Sequence, residues 1–179
     1  MSLNLEVILR YGLYIGFGLV SIALLYFVTW GVEHMFSYTL VSKIVLQLPF
    51  FLLVKGGIRR ARKEADQWSW LDGFVHGLGM FAVAGLMCGL TSFLWFVLPE
   101  HREDYYTYQY HELISENQTV EALIAQKDFI LSFATPLLRF GFSWIAVLLP
   151  GAAFALLYAF TYREKPTESP SHTHLGLQS

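Results

Sequence analysis

Three long stretches of this chain carry no formal charge, and that pattern restricts its folding more than any other feature. Between Arg10 and Glu33 lie 22 uncharged positions, Gly73 to Pro99 holds no charge, and none follows Arg139 until Arg163. A helix rising about 1.5 Å per residue needs roughly 20 apolar residues to cross about 30 Å of hydrocarbon. Each stretch is long enough. Composition agrees: 15% of residues are charged and 55% hydrophobic, where a soluble domain carries about a quarter charged. The expected class is therefore an all-α membrane protein.

A shorter run from Tyr38 to Val54, interrupted by Lys43 and Pro49, completes a reading of four spans at about 11–32, 38–54, 73–98 and 140–162. Lys43 and Lys55 then have to snorkel to opposite surfaces. Residues 1–162 form one four-helix domain, 99–139 an outer loop and 163–179 a disordered cytoplasmic tail rich in Pro, Ser, Thr and His. The first run lacks a small-residue cleavage site and exceeds a signal peptide's apolar core, so it is expected to be retained. Leu113, Ile114, Val120, Leu123 and Ile124 recur at near-helical spacing and predict amphipathic helices in the outer loop.

Orientation follows from lysine and arginine, which stay on the cytoplasmic side of short loops. Lys55, Arg59, Arg60, Arg62 and Lys63 follow the second span, whereas residues 100–128 hold Arg102 and Lys127 against seven acids. Both termini are thus expected in the cytoplasm, with the chain in the cell's inner membrane.

Glycines supply the packing pattern. The first span opens Gly12-Leu-Tyr-Ile-Gly16-Phe-Gly18 and the third Gly73-Phe-Val-His-Gly77-Leu-Gly79, and each is followed by a span with an internal proline, Pro49 or Pro150. Two parallel-repeat helical hairpins would produce this pattern. Residues four apart share a helix face, so Gly12 with Gly16, Gly73 with Gly77, and Gly85 with Gly89 are candidate helix-packing positions, within one chain or in a homodimer.

Ionisable groups at membrane depth are few. Glu33, His34, Lys43 and Arg139 fall at similar depth near the outer surface, which makes them a candidate polar cluster with a structural ion-pair role or a seat for an anionic lipid. His76 sits about one turn into the third span and reads better as a headgroup-level histidine than as a proton or metal site. Tyr105, Tyr106, Tyr108 and Tyr110 read as an interfacial belt.

Several function classes are excluded. A net charge of −2 gives no reason to expect nucleic acid. Cys88, the lone cysteine, allows no internal disulfide. There is no HExxH helix, phosphate-binding glycine loop or Gly-x-Ser-x-Gly turn, so no enzymatic activity, cofactor or metal is expected.

The layout resembles a bacterial family of small four-span membrane proteins, domain-of-unknown-function family 4199. The resemblance rests on the glycine-bearing first span from Tyr11, the Gly57-Ile-Arg-Arg-Ala-Arg-Lys63 segment, Trp70-Leu-Asp-Gly-Phe-Val-His-Gly77, and the Leu98-Pro99 exit before an acidic, tyrosine-bearing segment. It implies a four-helix inner-membrane protein of unassigned activity and supplies no catalytic residues. The expected function is a non-enzymatic interaction or accessory subunit in contact with membrane lipids and a second membrane protein or copy of itself. The alternative is a small transporter or lipid-binding protein with its polar site near Arg139.

Overall fold

A computed structural model of the chain describes residues 3–36, 40–65, 67–105, 107, 121, 129, 132 and 135–162, without the side chains of 26, 27, 29–36, 40–47 and 51. Among these residues all regular structure is helical. Four long helices dominate: α1 (Leu5–Phe36), α2 (Leu40–Glu64), α3 (Trp70–Val97) and α4 (Pro136–Thr161).

The helices outrun the charge-free stretches because local chemistry extends them. Asn4 precedes α1, and its Oδ1 accepts a hydrogen bond from Val7 N at 3.1 Å, satisfying a first-turn donor. Helix α3 opens with a capping box: Ser69 Oγ accepts from Asp72 N, while Asp72 Oδ2 accepts from Ser69 N at 2.8 Å. Pro136 occupies the first turn of α4, where its missing N–H costs nothing. Helix α2 does not stop at residue 54 but continues through the basic segment to Glu64. Val54, Ile58, Ala61 and Ala65 are buried at helical spacing, and Arg62 with Lys63 suits the negative end of the helix dipole. The basic segment expected as a loop is thus a helix end.

Helices α1, α3 and α4 contain three segments long and apolar enough to cross a membrane, Leu5–Leu25, Trp70–Val97 and Pro136–Thr161. Helix α2 has only 11 uncharged residues between Lys43 and Lys55, a rise of about 16 Å against about 30 Å of hydrocarbon. Among the described residues three of the four expected apolar spans are shown, and the remaining one corresponds to a helix whose apolar middle lies between Lys43 and Lys55. The amphipathic-loop residues 113, 114, 120, 123 and 124, Tyr106, Tyr108 and Tyr110, and the tail from 163 onward lie outside the described residues; Pro99–Tyr105 next to them is helical.

Helix α3 is central. It runs antiparallel to α4, with Gly73 beside Ala159 at one end and Gly89 beside Phe140 at the other, and parallel to α1, with Gly12 beside Met80 and Gly16 beside Ala84. Helix α2 lies antiparallel to α1, placing Gly57 beside Tyr11 and Asn4 beside Glu64. Ile15, Val54, Ile58, Met80, Phe81, Ala84 and Val147 fill the shared core. The two hairpins do point the same way, as a parallel repeat requires. Their glycines are not equivalent, however: Gly12 and Gly16 face α3, while Gly73 and Gly77 face α4 rather than α1. One spacing serves two different interfaces.

Candidate functional site

The six candidate packing glycines all lie at helix contacts inside the chain. A Cβ at Gly77 would stand 2.7 Å from Ala155 Cβ and 3.1 Å from its Cα; at Gly73 it would stand 3.2 Å from Ala159 Cα. At Gly89 it would lie 3.1 Å from the Phe140 carbonyl, and at Gly85 equally close to that of Trp144. Gly12 and Gly16 bring α1 against Met80, Val83, Ala84 and Met87. These faces are occupied by the chain's own helices. Two side-chain hydrogen bonds reinforce the α3/α4 seam, Trp144 Nε1 donating to Ala82 O at 3.2 Å and a 2.6 Å contact between the hydroxyls of Ser92 and Ser143.

His76 is fully buried and both its nitrogens are engaged. Nδ1 lies 2.7 Å from the Asp72 carbonyl, to which it donates, and Nε2 accepts from Asn4 N at 3.0 Å. The ring therefore carries its proton on Nδ1 and joins the start of α1 to the first turn of α3. Neither nitrogen is left to bind a metal or relay a proton. Asn4 extends the cluster, its Nδ2 donating to Glu64 Oε2 at 2.7 Å, while Arg60 Nε donates to Glu64 Oε1 at 2.9 Å. The Arg60 hydrogen bond, with a further one from Asn4, holds the Glu64 carboxyl below its usual range, and Glu64 in turn raises Arg60. This basic-end cluster stitches α1, α2 and α3 together.

The candidate polar cluster at the opposite end is only partly described. Glu33 and His34 belong to the last turn of α1 and Lys43 to the first turn of α2, but their side chains lie outside the described residues. Arg139 sits in the first turn of α4 with its guanidinium 3.8 Å from the Tyr105 ring centroid and 5.0 Å from that of Phe96. Its Nε is buried with no hydrogen-bond acceptor. Arg102 Nε donates to the Phe96 carbonyl at 2.9 Å, and the Trp95 and His101 rings stack at 4.0 Å beside it. Among the described residues neither Arg102 nor Arg139 has a carboxylate partner, and no three His, Cys, Asp or Glu side chains converge on a metal site.

Sequence reasoning missed Asn4, Glu64, Phe96 and Arg102. The Ser69-x-x-Asp72 spacing was a usable signal for the capping box beside His76. Nothing local pointed to the 72-residue link between Asn4 and His76.

The family model that matches the chain, over residues 10–164, is described as protein of unknown function (DUF4199). No curated protein and no solved structure matches it.

Proposed function

We propose, for a chain that belongs to the DUF4199 family of proteins of unknown function, an integral membrane protein that works as a non-enzymatic interaction or accessory subunit. In this reading it crosses the plasma membrane four times with both termini in the cytoplasm. One observation carries the accessory role: the buried polar residues among those described, Asp72 and His76, are both committed to the chain's own hydrogen bonds. Asp72 and His76, so occupied, favour a reading in which neither serves as a reacting group or as part of a polar route between the two ends. Activity is left to the surfaces, where Leu149, Leu156, Leu157 and Phe160 of α4 are exposed to lipid or to another membrane protein.

The fourth crossing is supported by the paired α1/α2 and α3/α4 hairpins and by Lys43 and Lys55, whose stems reach opposite surfaces when α2 spans. Single cysteines at Ser2, Thr107 and Ser171 in a Cys88→Ala background test it with an impermeant maleimide. Four crossings leave Ser2→Cys and Ser171→Cys protected on the same side while Thr107→Cys labels from outside. Three crossings would place the two termini on opposite sides. Gentle extraction and native mass spectrometry test the role: a defined second subunit is expected, and a bare monomer in every extraction would contradict it.

A further inference from the structure

Two arginines converge on one residue at the end of the bundle away from the basic helix end. Arg102 bonds the carbonyl of Phe96, and Arg139 lies over its ring and that of Tyr105. A guanidinium stacked on aromatic rings uses its faces and keeps its in-plane N–H groups for acceptors. Arg139 Nε is buried without an acceptor, and no carboxylate pairs with either arginine among the described residues. Glu100, Glu103 and Asp104 lie nearby in sequence but are exposed, and Asp104 contacts His101.

The position sharpens the imbalance. Arg139 occupies the first turn of α4, where the helix dipole is positive and a cation is disfavoured. Thr135 precedes that turn without capping it through its side chain. Both guanidiniums touch Phe96, one at its carbonyl and one over its ring, the start of α4 adds positive potential beside Arg139, and a bidentate planar donor fits phosphate geometry. We propose that Arg139 and Arg102, seated on Phe96 and Tyr105, form a site for the phosphate group of an anionic ligand. At membrane-interface depth the phosphodiester of a lipid headgroup is the first source; free phosphate from the adjoining aqueous phase is the second. The lipid source rests on the membrane placement proposed above but not on the accessory role, and maleimide labelling reads that placement separately.

The test uses the full-length protein, titrated with phosphatidylglycerol and with diacylglycerol of the same acyl chains, and followed by native mass spectrometry. The wild type should retain one phosphatidylglycerol per chain and not diacylglycerol. Arg139→Gln and Arg102→Gln should each lower retention about tenfold or more, the effect of losing a charge-assisted pair. Arg139→Lys, which keeps charge but loses the planar fork, should fall between. Displacement of the lipid by inorganic phosphate would mean that the site also accepts phosphate from water, and resistance to it would assign the site to lipid. Equal retention of both lipids by the wild type, or unchanged retention in both glutamine variants, would overturn the site. Should the variants fail to fold, phenylglyoxal labelling of wild-type Arg139 decides: phosphatidylglycerol but not diacylglycerol should slow it several-fold, and equal rates would overturn the proposal.

Discussion

At the Gly73–Gly77 end of the α3/α4 seam the glycines meet backbone, whereas along the α1/α2 seam they meet side chains. Gly73 and Gly77 face the Cα atoms of Ala159 and Ala155; farther along, Gly85 and Gly89 face the rings of Trp144 and Phe140 as well as their carbonyls, and Gly151 faces the Phe81 ring. In the first hairpin Gly18 faces the ring of Phe50, and Gly56 faces that of Tyr11. A ring can rotate away from an added methyl; the backbone of a packed helix cannot without moving the whole helix. Helix α3 is therefore clamped in the bundle, while α2 is attached by movable side chains and by the Asn4, Arg60 and Glu64 hydrogen bonds at its end. The same residue type thus has a different cost of replacement at Gly77 and at Gly56.

The largest expected effect comes from breaking the rigid seam. Gly77→Leu drives a branched side chain into Ala155 and should cost about 3 kcal/mol or more, at the upper end of overpacking penalties, so that no folded bundle survives extraction at the wild-type thermal midpoint. His76→Leu comes next. It leaves the Asn4 N–H and the Asp72 carbonyl without their buried partner, a loss of about 2 kcal/mol that calorimetry or denaturant unfolding in detergent would register. On the movable side, Gly56→Ala should be neutral or stabilise by up to about 1 kcal/mol through helix propensity, because the added Cβ would lie an ordinary 3.4 Å from Tyr11. A loss comparable to that of Gly77→Leu would erase the distinction between the two seams.

The smallest effect is electrostatic. The folded pKa of Glu64 is lowered from its ordinary value of 4.5, so its pairing contributes fully above that value and is lost as pH falls through the lower folded value. Arg60 and Glu64 are both exposed, which keeps the contribution small. Glu64→Gln should flatten the acid side of a thermal-midpoint profile and lower the neutral plateau by the same small amount. An unchanged acid limb would mean that this pair does not hold the end of α2.

Much of this was legible in the sequence, for reasons that also set its limits. Absence of charge located α1, α3 and α4, and the four-residue glycine spacing named positions that the structure places against neighbouring helices. The helix ends were misjudged because charge marks where a hydrocarbon slab must stop, not where a helix does. Asn4 extends α1 backward, and the buried stripe of Val54, Ile58 and Ala61 carries α2 through a basic segment that hydropathy alone reads as a loop. The apparent repeat misled in a different way. Gly12-x-x-x-Gly16 and Gly73-x-x-x-Gly77 look alike, yet spacing specifies only that a face is small, never which helix fills it. The seat of Arg139 was invisible for the same reason: its depth could be read, but Tyr105 and Phe96 reach it only through tertiary packing.

The claim beneath all of this is that the glycine faces close within one chain. Gly73→Cys paired with Ala159→Cys, in a Cys88→Ala background and in native membranes, tests it most directly. The Cβ positions lie 3.5 Å apart, within the range of about 3.5–4.5 Å that a disulfide accepts. Mild oxidation should give a monomer with an internal disulfide, seen as a mobility shift that reductant reverses. Disulfide-linked dimers, or no crosslink while the bundle remains folded, would mean that these glycines face something other than α4.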